Sequence, residues 1–216
     1  MKQEEFITTV RACRPWLKGI EKAAFEIHER VNQKYGGILP YGFHLKLTAS
    51  YVTKYGHLIA TDEVDIFILY AAAYLHDTIE DARMTYHDVV DFIRDFNTHA
   101  FSLPEAYIRQ IEQQVPEIVY ALTNEKGRTR AERADDVYYK GIRETPFAAF
   151  IKMCDRLANI KYTTLFVLTD RMFNVYKNEY PRFIQAIGEG AIPPLPEAMK
   201  EEAEKMLDSE VYVMKG

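Results

Sequence analysis

Apolar residues recur at three- and four-residue intervals along most of the chain, the spacing that gathers them on one side of an α-helix. Ile20, Ala23, Ala24, Ile27 and Val31 form such a stripe within a helix expected from about Glu4 to Lys34, with a break near Pro15. Gly36 and Gly37 read as its end, with Lys34 in the last turn, where a cation suits the helix dipole. A second helix is expected from His44 to about Tyr55, buried through Leu45, Thr48, Ala49 and Val52. Thr85-Tyr86-His87-Asp88 resembles a capping box opening a third, with Val89, Val90, Ile93 and Phe96 inward. His87 and His99 are expected on the surface. Ser102 and Pro104 start a helix striped by Ile108, Ile111, Val115, Ile118, Val119 and Leu122. Pro146 opens another, with Phe147, Phe150, Ile151, Cys154, Leu157 and Ala158 inward. Short helices are expected over 170–177 and 181–187, an extended link over Ile192–Pro196, and a charged helix from Glu197 to Leu207. Residues 208–216 read as a tail. No convincing strand alternation interrupts this series, so the pattern predicts an all-α fold.

One stretch departs from the amphipathic pattern. From Val64 to Leu75 the chain is apolar nearly all round, as in a helix at the centre of a core. Thr61 is its expected N-cap, with Asp62 and Glu63 in the first turn. It then runs into His76 and Asp77 and, one turn later, Glu80 and Asp81. Continued helical spacing would set His76 near Glu80 and Asp77 near Asp81. Three carboxylates and an imidazole at the end of a buried helix are costly unless a cation compensates them. The competing reading is an acidic helix end in water, or a cap for the next helix.

Composition narrows the class. The 216 residues are 48% hydrophobic and 27% charged, which fits one soluble globular domain. Its core is expected over about 20–163, with a helical extension over 164–216. The net charge of −5 argues against a general nucleic-acid-binding surface. Lys126, Arg128, Arg130 and Arg133 are placed to meet an anionic ligand or simply to form surface ion pairs. Cys13 and Cys154 lack metal-type spacing, and Cys154 reads as a small buried thiol. No apolar run reaches the ~18 residues of a membrane span, and the N-terminal stretch lacks a signal-type apolar run. The expected setting is a reducing cytoplasm, away from membranes.

Asp155 and Asn159 stand at i and i+4 beside an apolar face, so both are candidates to point inward. A buried Asp155 needs a cation, and the neighbouring Arg156 is a local alternative to a metal. His44, His76, Asp77 and Asp155 together offer two imidazoles and two carboxylates. That mixed nitrogen and oxygen set, without thiolate, suits Mn²⁺ or Fe²⁺ better than structural zinc. Four ligands would leave positions on a six-coordinate ion for water and a phosphate oxygen.

Three blocks carry a resemblance: Pro40-Tyr41-Gly42-Phe43-His44, Leu75-His76-Asp77-Thr78-Ile79-Glu80-Asp81 and Lys152-Met153-Cys154-Asp155-Arg156-Leu157-Ala158-Asn159. The chain resembles the HD-domain metal-dependent phosphohydrolases over roughly Ile20 to Thr163. It is most similar to the hydrolase domain of the RelA/SpoT alarmone enzymes and their small stand-alone relatives. The resemblance implies a helical HD bundle with Mn²⁺ on His44, His76, Asp77 and Asp155. Glu80 and Asp81 would orient and deprotonate the attacking water. Lys34 and Asn159 would contact the nucleotide. The implied reaction removes the 3′-pyrophosphate of guanosine tetra- or pentaphosphate. Gln33 stands where the family usually has Arg, Leu45 where it has Pro, and Cys154 where it often has Ala. Two other classes of function compete: an HD hydrolase of another nucleotide, including the 2′-phosphate of NADPH, and a non-catalytic nucleotide-sensing module.

Overall fold

The computed structural model describes residues 1–100, 103–124, 132, 134–165 and 170–208. Among them are ten α-helices and one two-stranded antiparallel sheet, so the fold is all-α. The helices are α1 (Gln3–Ala12), α2 (Arg14–Arg30), α3 (Gly42–Tyr55), α4 (Glu63–Leu75), α5 (Tyr86–Ala100), α6 (Glu105–Leu122), α7 (Asp136–Glu144), α8 (Ala148–Leu165), α9 (Asp170–Gly188) and α10 (Glu197–Asp208). No described helix is long and apolar enough to cross a membrane.

The hub is α4. Every residue from Val64 to Leu75 is buried, and the helix packs against α1, α2, α3, α6 and α8. Burial on all sides explains why its sequence has no polar face. Each of Ile66, Ile68, Leu69 and Leu75, at 0% exposure, contributes about 1.5–3 kcal/mol relative to an exposed position. Ala71, Ala72 and Ala73, also at 0%, put small side chains where neighbouring helices crowd the axis.

The ends of α4 are closed by side chains. Its N-cap is Asp62 rather than Thr61: Asp62 accepts from the Asp65 backbone at 3.2 Å, and Asp65 reaches back to the backbone and hydroxyl of Thr61. A carboxylate acceptor at that end also suits the dipole, which is why Asp62 takes the cap. At the other end, Thr78 donates to the Leu75 carbonyl from both its backbone (2.9 Å) and its hydroxyl (2.7 Å). The orphan carbonyl is thereby satisfied and the chain turns away from the axis.

Four local expectations change. The first long helix divides at Cys13, with Pro15 in the first turn of the second half, and ends at Arg30, and Lys34 lies on a strand. Lys34–Tyr35 (β1) pairs with Leu39–Pro40 (β2), and Gly36 and Gly37, at φ 58° and 77°, make the hairpin turn rather than a helix end. A Cβ at Gly36 would meet the Tyr162 hydroxyl at 2.0 Å, so only glycine fits there. Second, α7 appears where no helix was expected: Asp135 caps it, and only Tyr139 and Ile142 are buried, too few for a clear stripe. Third, 170–188 is one helix. Phe173, Tyr176, Tyr180, Phe183 and Ile187 continue a single buried stripe past Pro181, which sits on the exposed face. Fourth, Pro104 is the N-cap of α6 and not part of its first turn. The Thr85–Asp88 box closes as expected, through Thr85 N to Asp88 at 2.7 Å and Asp88 N to Thr85 at 3.2 Å. The basic residues Lys126, Arg128, Arg130 and Arg133, and the tail over 209–216, lie outside the described residues, as does the side chain of His99.

Candidate metal centre

Three elements deliver the central residues. His44 lies in the first turn of α3, His76 is the C-cap of α4 with Asp77 next, and Asp155 projects from the middle of α8. Packing of α3 against α4 and α8 brings them together. His44 and His76 are 1% exposed, and Asp155 is 8% exposed.

The donor atoms converge. His44 Nε2 lies 3.1 Å from His76 Nε2, 3.4 Å from Asp77 Oδ2 and 3.3 Å from Asp155 Oδ1. His76 Nε2 is 2.9 Å from Asp77 Oδ2 and 3.9 Å from Asp155 Oδ1. The Nδ1 of His76 stands 2.9 Å from the Ala73 carbonyl, which can only accept, so Nδ1 carries hydrogen. In the neutral ring Nε2 is then a bare lone pair facing another ring nitrogen and a carboxylate oxygen. His44 Nδ1 is buried without a hydrogen-bond partner, so the polar function of that ring is at Nε2. Electron-rich atoms facing one another in a buried site need a positive charge among them. His44, His76 and Asp77 could hold a metal ion, their ligand atoms all lying within 4.8 Å of one another. The same need shows as pKa displacements. Burial opposes a charged His44, but Asp155 and Asp77 outweigh it and lift the ring to about 9. Burial likewise works against an ionised Asp77, yet the two histidines hold it well below the usual carboxylate range.

A surrounding layer fixes these groups. The Tyr41 hydroxyl lies 2.5 Å from Asp77 Oδ2 and 2.6 Å from Asp81 Oδ2, so one phenol tethers both carboxylates. Asp155 Oδ2 meets the Lys152 ammonium at 3.0 Å, and Oδ1 accepts from Asn159 Nδ2 at 2.5 Å. Asn159 Oδ1 in turn accepts from the Tyr35 hydroxyl at 2.9 Å. The Tyr35 ring, delivered by the hairpin, sits 4.7 Å from that of His44. His28, buried with neither ring nitrogen bonded, stacks on Tyr41 at 4.5 Å. Burial, with the nearby His76 and His44, lowers it to about 4 against the pull of Asp77, so it is a neutral ring supporting the phenol.

The expected site residues fall into three groups. His44, His76, Asp77 and Asp155 are brought together, with Asp81 joined to them through Tyr41. Glu80 stands to one side. The chain leaves the helical path after Leu75, and Glu80 accepts from the Asn124 backbone at 3.3 Å instead of lying along His76. Burial raises the pKa of Glu80, with Asp77 and Asp81 adding to it and Lys152 opposing. Burial and Asp77 raise that of Asp81 as well. Lys34 is exposed on β1, where its neighbour Tyr35 is the residue that turns inward. Asn159 is committed to Asp155 and Tyr35. Arg156, a possible local partner for Asp155, instead pairs with Glu179 at 3.2 Å and lies over the Phe183 ring at 4.1 Å.

Tyr35, Tyr41 and Lys152 were assigned no role from sequence. Lys152 had a readable signal, since it precedes Asp155 by three residues on one helix face. The tyrosines had none, because buried Tyr is ordinary core. No family model and no curated protein matches the chain.

Proposed function

We propose that the chain is a metal-dependent phosphohydrolase. The observation that carries this reading is the convergence of His44 Nε2, His76 Nε2 and Asp77 Oδ2 at 2.9–3.4 Å from one another, with Asp155 Oδ1 at 3.3 and 3.9 Å from the two ring nitrogens and Asp81 tied to Asp77 by Tyr41. His44, His76, Asp77 and Asp155 would hold the ion, with Mn²⁺ or Fe²⁺ preferred by the donor set. Such an ion lowers the pKa of bound water and offsets phosphate charge.

The chain's own residues account for the remaining chemistry. Asp81, joined to the cluster through Tyr41, takes the proton of the attacking water and Glu80 helps to orient that water, the burial of each raising its basicity above that of an exposed carboxylate. Tyr41 fixes the distance between Asp81 and the ligand Asp77. Lys152 and Asn159 hold the two oxygens of Asp155, so that its orientation does not depend on substrate. Within this class, the resemblance of the three sequence blocks favours guanosine tetra- or pentaphosphate. Water bonds to the phosphorus nearest the ribose 3′-oxygen, that P–O bond breaks, the 3′-oxygen takes up a proton, and pyrophosphate leaves.

The test is the double variant Glu80→Gln with Asp81→Asn. It keeps size and shape and removes basicity, so metal content should stay at the parent level while turnover of guanosine tetraphosphate falls by ~10²–10⁴-fold. Turnover at the parent rate would remove both carboxylates from the mechanism.

A further inference from the structure

Beside the metal cluster lies a cleft of about 340 Å³, lined by Glu80, Asn124, Lys152, Asn178, Arg182 and Phe183 among others. That volume is near the lower end for small-molecule sites, enough for part of a ligand. Its charge is opposite in sign to that of the whole chain. Lys152, Arg156 and Arg182 face it against Glu80 and Glu179, in a protein of net charge −5.

These groups differ in how they are occupied. Arg156 is held by Glu179 and stacked on Phe183, forming a rigid wall. Lys152 is bound to Asp155 at 3.0 Å and joins the cleft to the cluster. Arg182 has no ion-pair partner among the described residues, and with Asn178, one turn earlier on α9, it stands exposed on the cleft lining. Glu80 lies at the other junction between cleft and cluster.

We infer that this cleft is a second phosphate subsite, in which Arg182, assisted by Asn178, binds the outer phosphate of a diphosphate whose inner phosphate is at the metal cluster. This rests on the proposed phosphohydrolase reading and adds to it the residues that would hold the outer phosphate of the leaving diphosphate. A guanidinium suits the task because its planar fork matches two phosphate oxygens at once. Arg182, with no ion pair among the described residues, is placed to make those bonds, whereas Arg156 is already paired with Glu179.

The probe is inorganic pyrophosphate, titrated calorimetrically into the Mn²⁺-loaded full chain and into Arg182→Ala treated identically, with orthophosphate as the one-phosphate comparison. The parent should bind pyrophosphate at least ~10-fold more tightly than orthophosphate. Arg182→Ala should lose most of that difference and Arg182→Lys regain part of it, with circular dichroism unchanged in both. Equal pyrophosphate affinity in parent and Arg182→Ala, or no preference for pyrophosphate in the parent, would overturn the subsite. Because the titration needs no turnover, an inactive protein that shows the Arg182-dependent preference would defeat the hydrolase reading and leave the cleft assignment standing.

Discussion

At the scale of single residues, the site depends on partners that touch no ligand. The Tyr41 hydroxyl bridges the side chains of Asp77 and Asp81, so Tyr41→Phe should cost ~10–100-fold in Mn²⁺ affinity, read by titration calorimetry, with the fold intact. Asp155→Ala should go further and abolish stoichiometric binding. A residue away from the site gives a pH prediction. Burial and Glu63 push the Cys13 thiol from 9.0 up to about 11. The folded protein therefore holds that proton more tightly than the unfolded chain, so any stability linked to it is complete below pH 9.0 and lost as pH rises through about 11. At pH 8 the native chain should resist a thiol-disulfide reagent at Cys13, and reaction should track unfolding in urea; fast native-state labelling would contradict the burial. The residue types of the buried cluster were readable from sequence because imidazole and carboxylate on apolar-faced helices announce a buried charge. Tyr35 and Tyr41 were not, since a tyrosine's sequence neighbours do not show where its hydroxyl ends: Tyr35 reaches Asn159 across 124 positions.

At the scale of elements, α4 sets both stability and geometry. Leu69, at 0% exposure, should cost about 2–5 kcal/mol on truncation to Ala, and loss of the cap in Asp62→Ala about 0.5–2 kcal/mol, both measured by equilibrium denaturation. Leu69→Ala no worse than Asp62→Ala would contradict the central position of α4. Elements with a long apolar stripe (α3, α4, α5, α6 and α8) were visible in the pattern of the chain. The hairpin was not, because Lys34 to Pro40 is too short to show alternation and its glycines serve a turn as readily as a helix end. The unbroken α9 was hidden by Pro181, whose usual helix-breaking cost is outweighed by a stripe of five buried residues from Phe173 to Ile187. The path after Leu75 was also obscured, since Thr78 diverts it and sends Glu80 toward Asn124.

At the scale of the whole molecule, the His/Asp cluster joins α3, the end of α4 and α8, which are distant in sequence and packed together in the core. An ion held there would tie these segments in the folded state only. Mn²⁺ at one hundred times its Kd should therefore stabilise the protein by about 2.7 kcal/mol, seen as a raised Tm that chelator reverses and Asp155→Ala abolishes. Metal-dependent hydrolysis is tested most directly by turnover itself. Purified protein is incubated with guanosine tetraphosphate, with Mn²⁺ and then with excess chelator, and released pyrophosphate is quantified. Pyrophosphate and GDP should appear in equal amounts with Mn²⁺ and not at all after chelation; no release, or release that chelation leaves unchanged, would contradict a metal-dependent hydrolase.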